Sequence, residues 1–474
     1  MRIPVVAFTC AFSAMAICVS TDSVVVLAQT ETAKTHSEMP LARVIELARS
    51  NYPAIEAAQA QQRAAQGAVG VARTGYLPRT DLIWQTNRAT ADNIYGLLLP
   101  QNVIPNISGP VLPSDVSRSA WSSGGGALLS WQPFDFGVRS AKVRAAQQGS
   151  EAAKQAAALT DLEASTRAAS AFFDLAAAHQ LVVVAEANLQ RMETFAKSIH
   201  VLVDNTLRPG ADASQADAQL ALARNQLIQA QTQEAVRRSE LSKYLPIGSD
   251  RAPEIDASQL LATLPPSDPN PVVALSHPAV LEEVALVGEQ EAQKRVLDRS
   301  YVPNFSTLGA VSGRGAGTDL NGKFPGGTAG LAPDTFNWAA GIQVTFSALD
   351  YFGLREQKKV QLANLQTEHA RYRQVVDDIS VAVEQARATL SGARQVAANT
   401  PVELTAARTS EQQQQARYRS GLATVVDIAA AEGVLAQAES DDAIARLSVW
   451  RAELGVAAAQ GDLAPFLQML KSQP

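Results

Sequence analysis

Apolar positions recur at helical spacing over about 38–75, 137–205 and 211–245, and again over 272–300, 353–417 and 424–460, so the chain predicts six main helices. Within the first long run Leu159, Leu162, Thr166, Ala169, Phe173, Ala176, Gln180, Val183 and Ala187 alternate steps of three and four. Val376, Ile379, Val383, Ala386, Leu390, Ala393 and Ala397 do the same in the second. That is the seam of a coiled coil. Its occupants are often Ala, Thr or Gln where a zipper carries Leu, so neighbouring helices can approach closely and tolerate partly wet contacts. At about 1.5 Å per residue the first run would form a rod on the order of 100 Å long, which must lie beside others or line something. Asn399-Thr400-Pro401-Val402-Glu403 reads as a cap, a first-turn proline and a capping-box glutamate, and predicts a break or kink near residue 400.

The period switches in two places. Phe336, Trp338, Ala340, Ile342, Val344 and Phe346 alternate with Asn337, Ala339, Gly341, Gln343 and Thr345, one greasy face against one small or polar face. A partner strand begins near Phe305, across a loop containing Gly313, Gly315, Gly326 and Gly327. Asp81 to Asn87 and Ala120 to Pro133 make an equivalent pair, with Trp121, Ala127, Leu129 and Trp131 on one face and a long loop, Leu97 to Pro113, between them. The pattern fits strands of a membrane barrel, and also a soluble hairpin with a sticky face. Four strands cannot close a barrel, and an open edge in lipid leaves backbone groups unpaired at several kcal/mol each. Three copies would supply twelve strands, an even number in the known range, whereas two would supply eight and a lumen filled by side chains. A homotrimer is therefore expected.

The plan occurs twice. Tyr52-Pro53-Ala54-Ile55 and Tyr76-Leu77-Pro78 recur as His277-Pro278-Ala279-Val280 and Tyr301-Val302-Pro303, with the same spacing from Pro53 to Pro78 as from Pro278 to Pro303. Phe134-Asp135-Phe136-Gly137-Val138-Arg139 is echoed by Asp350-Tyr351-Phe352-Gly353-Leu354-Arg355 with one residue inserted, and Leu207-Arg208-Pro209-Gly210 by Tyr418-Arg419-Ser420-Gly421. Three matches in one order argue for internal duplication. The organisation expected is a signal peptide (1–28), a first repeat (29–245, β insertion about 76–136), a connector (246–271) rich in proline and not helical, a second repeat (272–460, β insertion about 301–352) and a tail (461–474).

Composition narrows the function. With 46% hydrophobic, 18% charged and 5% aromatic residues and a formal charge of −6, the chain is neither a disordered tail protein nor a nucleic-acid binder. Length alone suggests about three domains, but scarce aromatics among abundant Ala, Gln and Leu fit long, closely packed helices better. Arg2, the apolar run Ile3 to Val19 and Val26-Leu27-Ala28 read as a secretory signal, with an N-terminal anchor as the alternative. Cys10 and Cys18 both lie in this segment, without the small residues that precede a lipid-attachment cysteine, so the exported chain carries no thiol for metal, disulfide or nucleophile. No later stretch reaches the roughly 18 consecutive apolar residues of a spanning helix. His36, His179, His200, His277 and His369 lack metal-ligand spacing, no nucleophile elbow is present, and the glycine-rich stretches lie in loops. No catalytic residue, metal or cofactor is expected.

The duplicated Tyr-x-Pro steps, the Asp135-Phe136-Gly137 and Tyr351-Phe352-Gly353 exits and the Gly210 and Gly421 tips together resemble the outer-membrane efflux proteins of the TolC type. The likeness runs from Asn51-Tyr52-Pro53 through Leu454-Gly455. It implies an α+β membrane protein: a long α-helical coiled-coil tunnel in the periplasm, plus four β-strands per chain contributing to a trimeric 12-stranded β-barrel in the bacterial outer membrane. Such a protein is the exit duct of a tripartite efflux pump or type I secretion system, reached through a periplasmic adaptor (membrane fusion) protein from an inner-membrane pump. Tyr418 and Asp427 are similar to the family's pore gate, although Ala429-Ala430-Ala431 offers no second aspartate; a solvated helix face is the other reading of Asp427. Arg419 could pair with Asp427, Asp212 or Asp217. Pro209, Gly210, Gly421 and Leu422 form the expected adaptor-docking tips, and Phe336, Trp338, Ile342, Val344 and Phe346 the lipid-facing barrel surface. A periplasmic coiled-coil adaptor or structural rod would share the hairpins but lack strand pairs flanked by tryptophan.

Overall fold

The structure is a computed structural model that describes residues 38–90, 119–246, 254–266, 274–317, 325–346 and 349–471. The expected signal peptide and the loop from Leu97 to Pro113 lie outside the described residues. The first predicted helix is two: α1 (Leu41–Asn51) and α2 (Pro53–Thr74), parted by the extended Tyr52. Pro53 causes the break, because a proline drives its predecessor out of the helical region while serving well as a first helical residue. There follow α3 (Val138–Asp204) and α4 (Gly210–Ser242). The connector holds more order than expected: β4 (Ile255–Asp256) pairs in parallel with β1 (Met39–Pro40), and α5 (Ser258–Ala262) follows. The second half carries α6 (Pro278–Arg299), α7 (Asp350–Arg419), α8 (Val425–Gln460) and α9 (Ala464–Lys471).

The predicted break at residue 400 is absent, and α7 runs unbroken through Pro401. Thr400 caps no new helix; it is buried and donates to Asp442 of α8 at 2.9 Å. Packing on both sides of the proline explains the continuity. Ala397 meets Ala445 and Val449 before it, and Ala407 meets Leu435 and Ala438 after it. These small residues hold α7 against α8 across the hydrogen bond that proline cannot make.

The largest core gathers Phe172, Phe173 and Leu175 of α3 with Val44 and Ile45 of α1, Leu241 of α4, Leu260 of α5, Trp450 and Leu454 of α8 and Phe466 of α9. Trp450 is fully buried, and its indole N–H donates to the Thr263 carbonyl at 2.9 Å. The seam on α3 is broader than a two-position stripe: Ala168, Phe172, Leu175 and Val182 are buried beside the predicted positions, while Val183 is exposed. The reason is that α3 packs against α1, α2, α4, α6 and α8 at once. That same crowding accounts for a segment of α3 apolar enough, by length and composition, to cross a membrane.

Four strands form one antiparallel sheet in the order β2 (Arg79–Thr90), β3 (Ser119–Phe134), β5 (Asn304–Ala316) and β6 (Thr335–Thr345). The register aligns one apolar face across all four: Leu82, Ala127, Val311 and Trp338 form one row, and Trp84, Gly125, Gly313 and Phe336 the next. The glycines make room for the rings beside them. A Cβ on Gly125 would stand 2.5 Å from the Trp84 ring. The opposite face carries Asp81, Gln85, Ser312, Arg314, Asn337 and Gln343. The outer edges of β2 and β6 pair with no strand among the described residues.

Candidate functional site

Two regions carry the functional chemistry. At the sheet, Phe336, Trp338 and Ile342 are 77%, 80% and 79% exposed, and Val344 shares their side. A row of large apolar side chains left in the open has no explanation inside one chain. Phe346 follows the strand and meets the Tyr301 ring edge-on, with centroids 6.4 Å apart; Tyr301 in turn meets Tyr351, and Tyr351 meets Phe352. An aromatic band thus marks the foot of the second hairpin, in the manner of interfacial girdles of membrane barrels.

The two strand exits differ despite their similar sequences. Gly137 caps α3 in the left-handed conformation, following Phe136 at φ 50°. Asp135 accepts from the Gly137 N–H at 3.1 Å, the Arg139 N–H at 2.5 Å and the Arg139 guanidinium at 2.9 Å. Burial alone would push the Asp135 carboxyl up; these donors outweigh it and hold the group below the usual carboxylate range. Arg139 also donates to the Gly75 carbonyl at 3.0 Å and covers the Tyr76 ring, so it ties the start of α3 to the approach of β2. Gly353, its echo, sits inside the first turn of α7 and makes no turn of its own.

The second region is the pair of hairpin tips. Gly421 takes φ 76°, and the N–H groups of Gly421 and Leu422 close the end of α7 onto the carbonyls of Tyr418 and Arg417 at 2.9 and 2.8 Å. Glycine is needed there because a side chain crowds the backbone at positive φ. The first tip does not use Gly210 in this way: Thr206 holds the left-handed position at φ 59°, Pro209 is the N-cap of α4, and Gly210 is its first residue, with open space around it. Leu207 and Leu422 are exposed at the two tips.

Tyr418 does not stand free at an opening. Its ring is buried against Phe195 of α3, with centroids 5.6 Å apart, and lies under Arg208 from the first tip at 4.6 Å. Arg208 also donates to the Tyr418 carbonyl at 3.2 Å, so it clamps one hairpin to the other. Burial pushes the Tyr418 hydroxyl up. Asp427 is exposed and closes a capping box: its carboxylate accepts from the Thr424 N–H at 2.7 Å, and its own N–H donates to Thr424 Oγ1 at 3.3 Å. The Thr424 backbone and hydroxyl donors hold the Asp427 carboxyl below the usual range, so it stays charged. Asp217 pairs with His200 at 2.8 Å instead of with Arg419.

Sequence reading missed an ionic cluster around the buried Glu432 of α8. Arg191 of α3 reaches Glu432 and Glu439 of α8 at 2.7 and 3.2 Å, and Arg408 of α7 approaches Glu439 at 4.0 Å. The Arg191 Nε–Glu432 Oε2 contact is close but off the N–H direction, so it is ionic and leaves both atoms without a hydrogen bond. Glu411 of α7 is buried beside Glu432. No group of three or more His, Cys, Asp or Glu among the described residues could hold a metal ion.

Helical hairpins of this length, joined to a sheet with an exposed apolar face, define a membrane channel class of protein. The chain belongs to the outer membrane efflux protein family, whose sequence pattern matches residues 44–245 and 273–462. The fold is similar to that of the Campylobacter jejuni CmeC outer membrane channel, at 15% identity and TM-score 0.71 over 92% of this chain and 90% of that one. It is also similar to the Neisseria gonorrhoeae MtrE outer membrane channel in its open state, at 18% identity and TM-score 0.70 over 92% and 94%. The Vibrio cholerae outer membrane protein VceC gives 18% identity and TM-score 0.70 over 89% and 96%. Comparison with curated protein sequences finds no match. As a family member the protein serves efflux across the outer membrane, a transport function.

Proposed function

We propose that the protein is the outer-membrane exit duct of a tripartite efflux pump or type I secretion system, and that it works as a homotrimer. One observation carries this reading: a four-stranded sheet with one apolar face and two outer edges that meet no strand among the described residues, mounted on long helical hairpins. A lone sheet of this kind would leave both edges unsatisfied in lipid. Three copies remove every edge and enclose the polar face as a lumen. The helices continue the duct into the periplasm, after removal of the signal segment 1–28. The two family matches, one in each half, support the internal duplication.

The tips at Pro209-Gly210 and Gly421-Leu422, with Leu207 and Leu422 exposed, are the surface for a periplasmic adaptor that joins the duct to an inner-membrane pump. Asp427 of three chains places three carboxylates around the mouth and favours cations there. Tyr418 serves that mouth as a buried anchor, through the Arg208 clamp that sets how the two hairpins stand. Cell fractionation tests the reading: a duct follows the outer membrane, whereas an adaptor or rod remains in the periplasmic extract.

A further inference from the structure

The duplicated plan and the internal strand register together specify how neighbouring chains meet. We propose that β6 of one chain pairs antiparallel with β2 of the next in a single register, with Gln343 opposite the partner's Gln85 and Ile342 opposite the partner's Thr86. This rests on the trimeric barrel proposed above and fixes its subunit interface.

The two hairpins are built alike. Arg79 opens the first opposite Ser130, and Asn304 opens the second opposite Thr345. Tyr76-Leu77-Pro78 and Tyr301-Val302-Pro303 lead into Arg79 and Asn304, so β2 corresponds to β5 residue by residue, and β3 to β6. The chain already shows how a second strand of one hairpin meets the first strand of the other. Across β3 and β5, Leu128 faces Ala310 and Ala127 faces Val311. Leu128 corresponds to Gln343 and Ala310 to Gln85; Ala127 corresponds to Ile342 and Val311 to Thr86. Repeating the internal junction at the subunit boundary gives the pairs named above, together with Val344 opposite the partner's Trp84.

An independent feature agrees. Leu82 and Trp84 occupy the apolar side of β2, and Ile342 and Val344 that of β6. The proposed register sets these together and places Gln85 and Gln343 together on the polar side. A slip of one residue would turn every side chain of one strand to the wrong face. Slips of two keep the faces, and only the duplication excludes them.

Cysteine bridging of the full-length protein in native outer membranes decides the register, and no cysteine lies beyond Cys18 to interfere. Adjacent pairs alternate in geometry, so Gln343→Cys/Gln85→Cys and Ile342→Cys/Thr86→Cys are both made. Leu128→Cys/Ala310→Cys and Ala127→Cys/Val311→Cys, the internal counterparts, show which geometry oxidises. The pair whose counterpart bridges should convert most chains to a reducible covalent trimer. Gln343→Cys with Asn87→Cys or Ile83→Cys should bridge at least about tenfold less. Preferential bridging of either shifted pair, or a trimer in which no pair bridges, overturns the register while leaving the closed barrel standing. A particle that is monomeric by native mass overturns the trimer itself.

Discussion

Replacing Arg191 with methionine removes the cation that faces the buried Glu432 and keeps much of its apolar stem, while the exposed Arg408 stays near Glu439. Glu432, 4% exposed in its side chain, then keeps the like charge of Glu411 beside it without Arg191 to offset it. Breaking a buried pair from one side costs about 3–5 kcal/mol. Arg191 is 27% exposed, so water screens part of the field and a loss near the lower end, about 3 kcal/mol, applies at pH 8. The loss depends on pH. Burial pushes the Glu432 carboxyl up, Arg191 pulls it down and Glu411 pushes it up again, with a net rise. A carboxyl raised in the folded state stabilises below its unfolded pKa, and that contribution is lost as pH rises through the folded value. Lowering the pH moves the variant's raised Glu432 carboxyl towards its neutral form, and the cost shrinks towards that of the lost contacts, about 1 kcal/mol. Hydrogen exchange of α8 amides around Glu432, corrected for the chemical exchange rate, reads this as local opening. Protection should fall about 100-fold at pH 8 and by clearly less at pH 5.5. Equal losses at both pH values, or none, would refute the reasoning.

Ile342→Arg places a charge on the exposed face of β6 and should cost about 2–4 kcal/mol near the bilayer midplane, depleting the protein from the outer membrane; normal assembly would show that this side does not face lipid. Gly421→Trp strains a φ of 76° and fills the second tip, so export should stop while the trimer remains intact by native mass, whereas export at the parental rate would remove the tip from the docking surface. Asp427→Ala should lower cation selectivity and block by multivalent cations in planar bilayers, and should also fray the start of α8 through loss of the capping box. Because its carboxyl is held low, Asp427 contributes above its unfolded pKa and loses that contribution as pH falls through the folded value, so wild-type selectivity should hold at mildly acid pH and fade only in strong acid.

Period and small-residue spacing were enough to locate the long helices and all four strands, because each is long and repeats its pattern many times. Local chemistry misled where distant packing decides. Thr400-Pro401 has the form of a helix start, yet α8 holds α7 together on both sides of it. Gly353 and Gly210 sit where their echoes make turns, but only Gly137 and Gly421 take the left-handed conformation, and Thr206 does so unannounced. The Thr424–Asp427 capping box was missed in the sequence, although its Thr-x-x-Asp spacing carries the signal. The Arg191 cluster carries no such signal, since its members come from three helices far apart in the chain and share no common motif.

Native mass measurement of the full-length protein in detergent tests the account most directly, because both outer edges of the sheet are open among the described residues and the proposed function needs them closed. The account predicts three chains in one particle that resists dissociation. A stable monomer with its strands intact would contradict it.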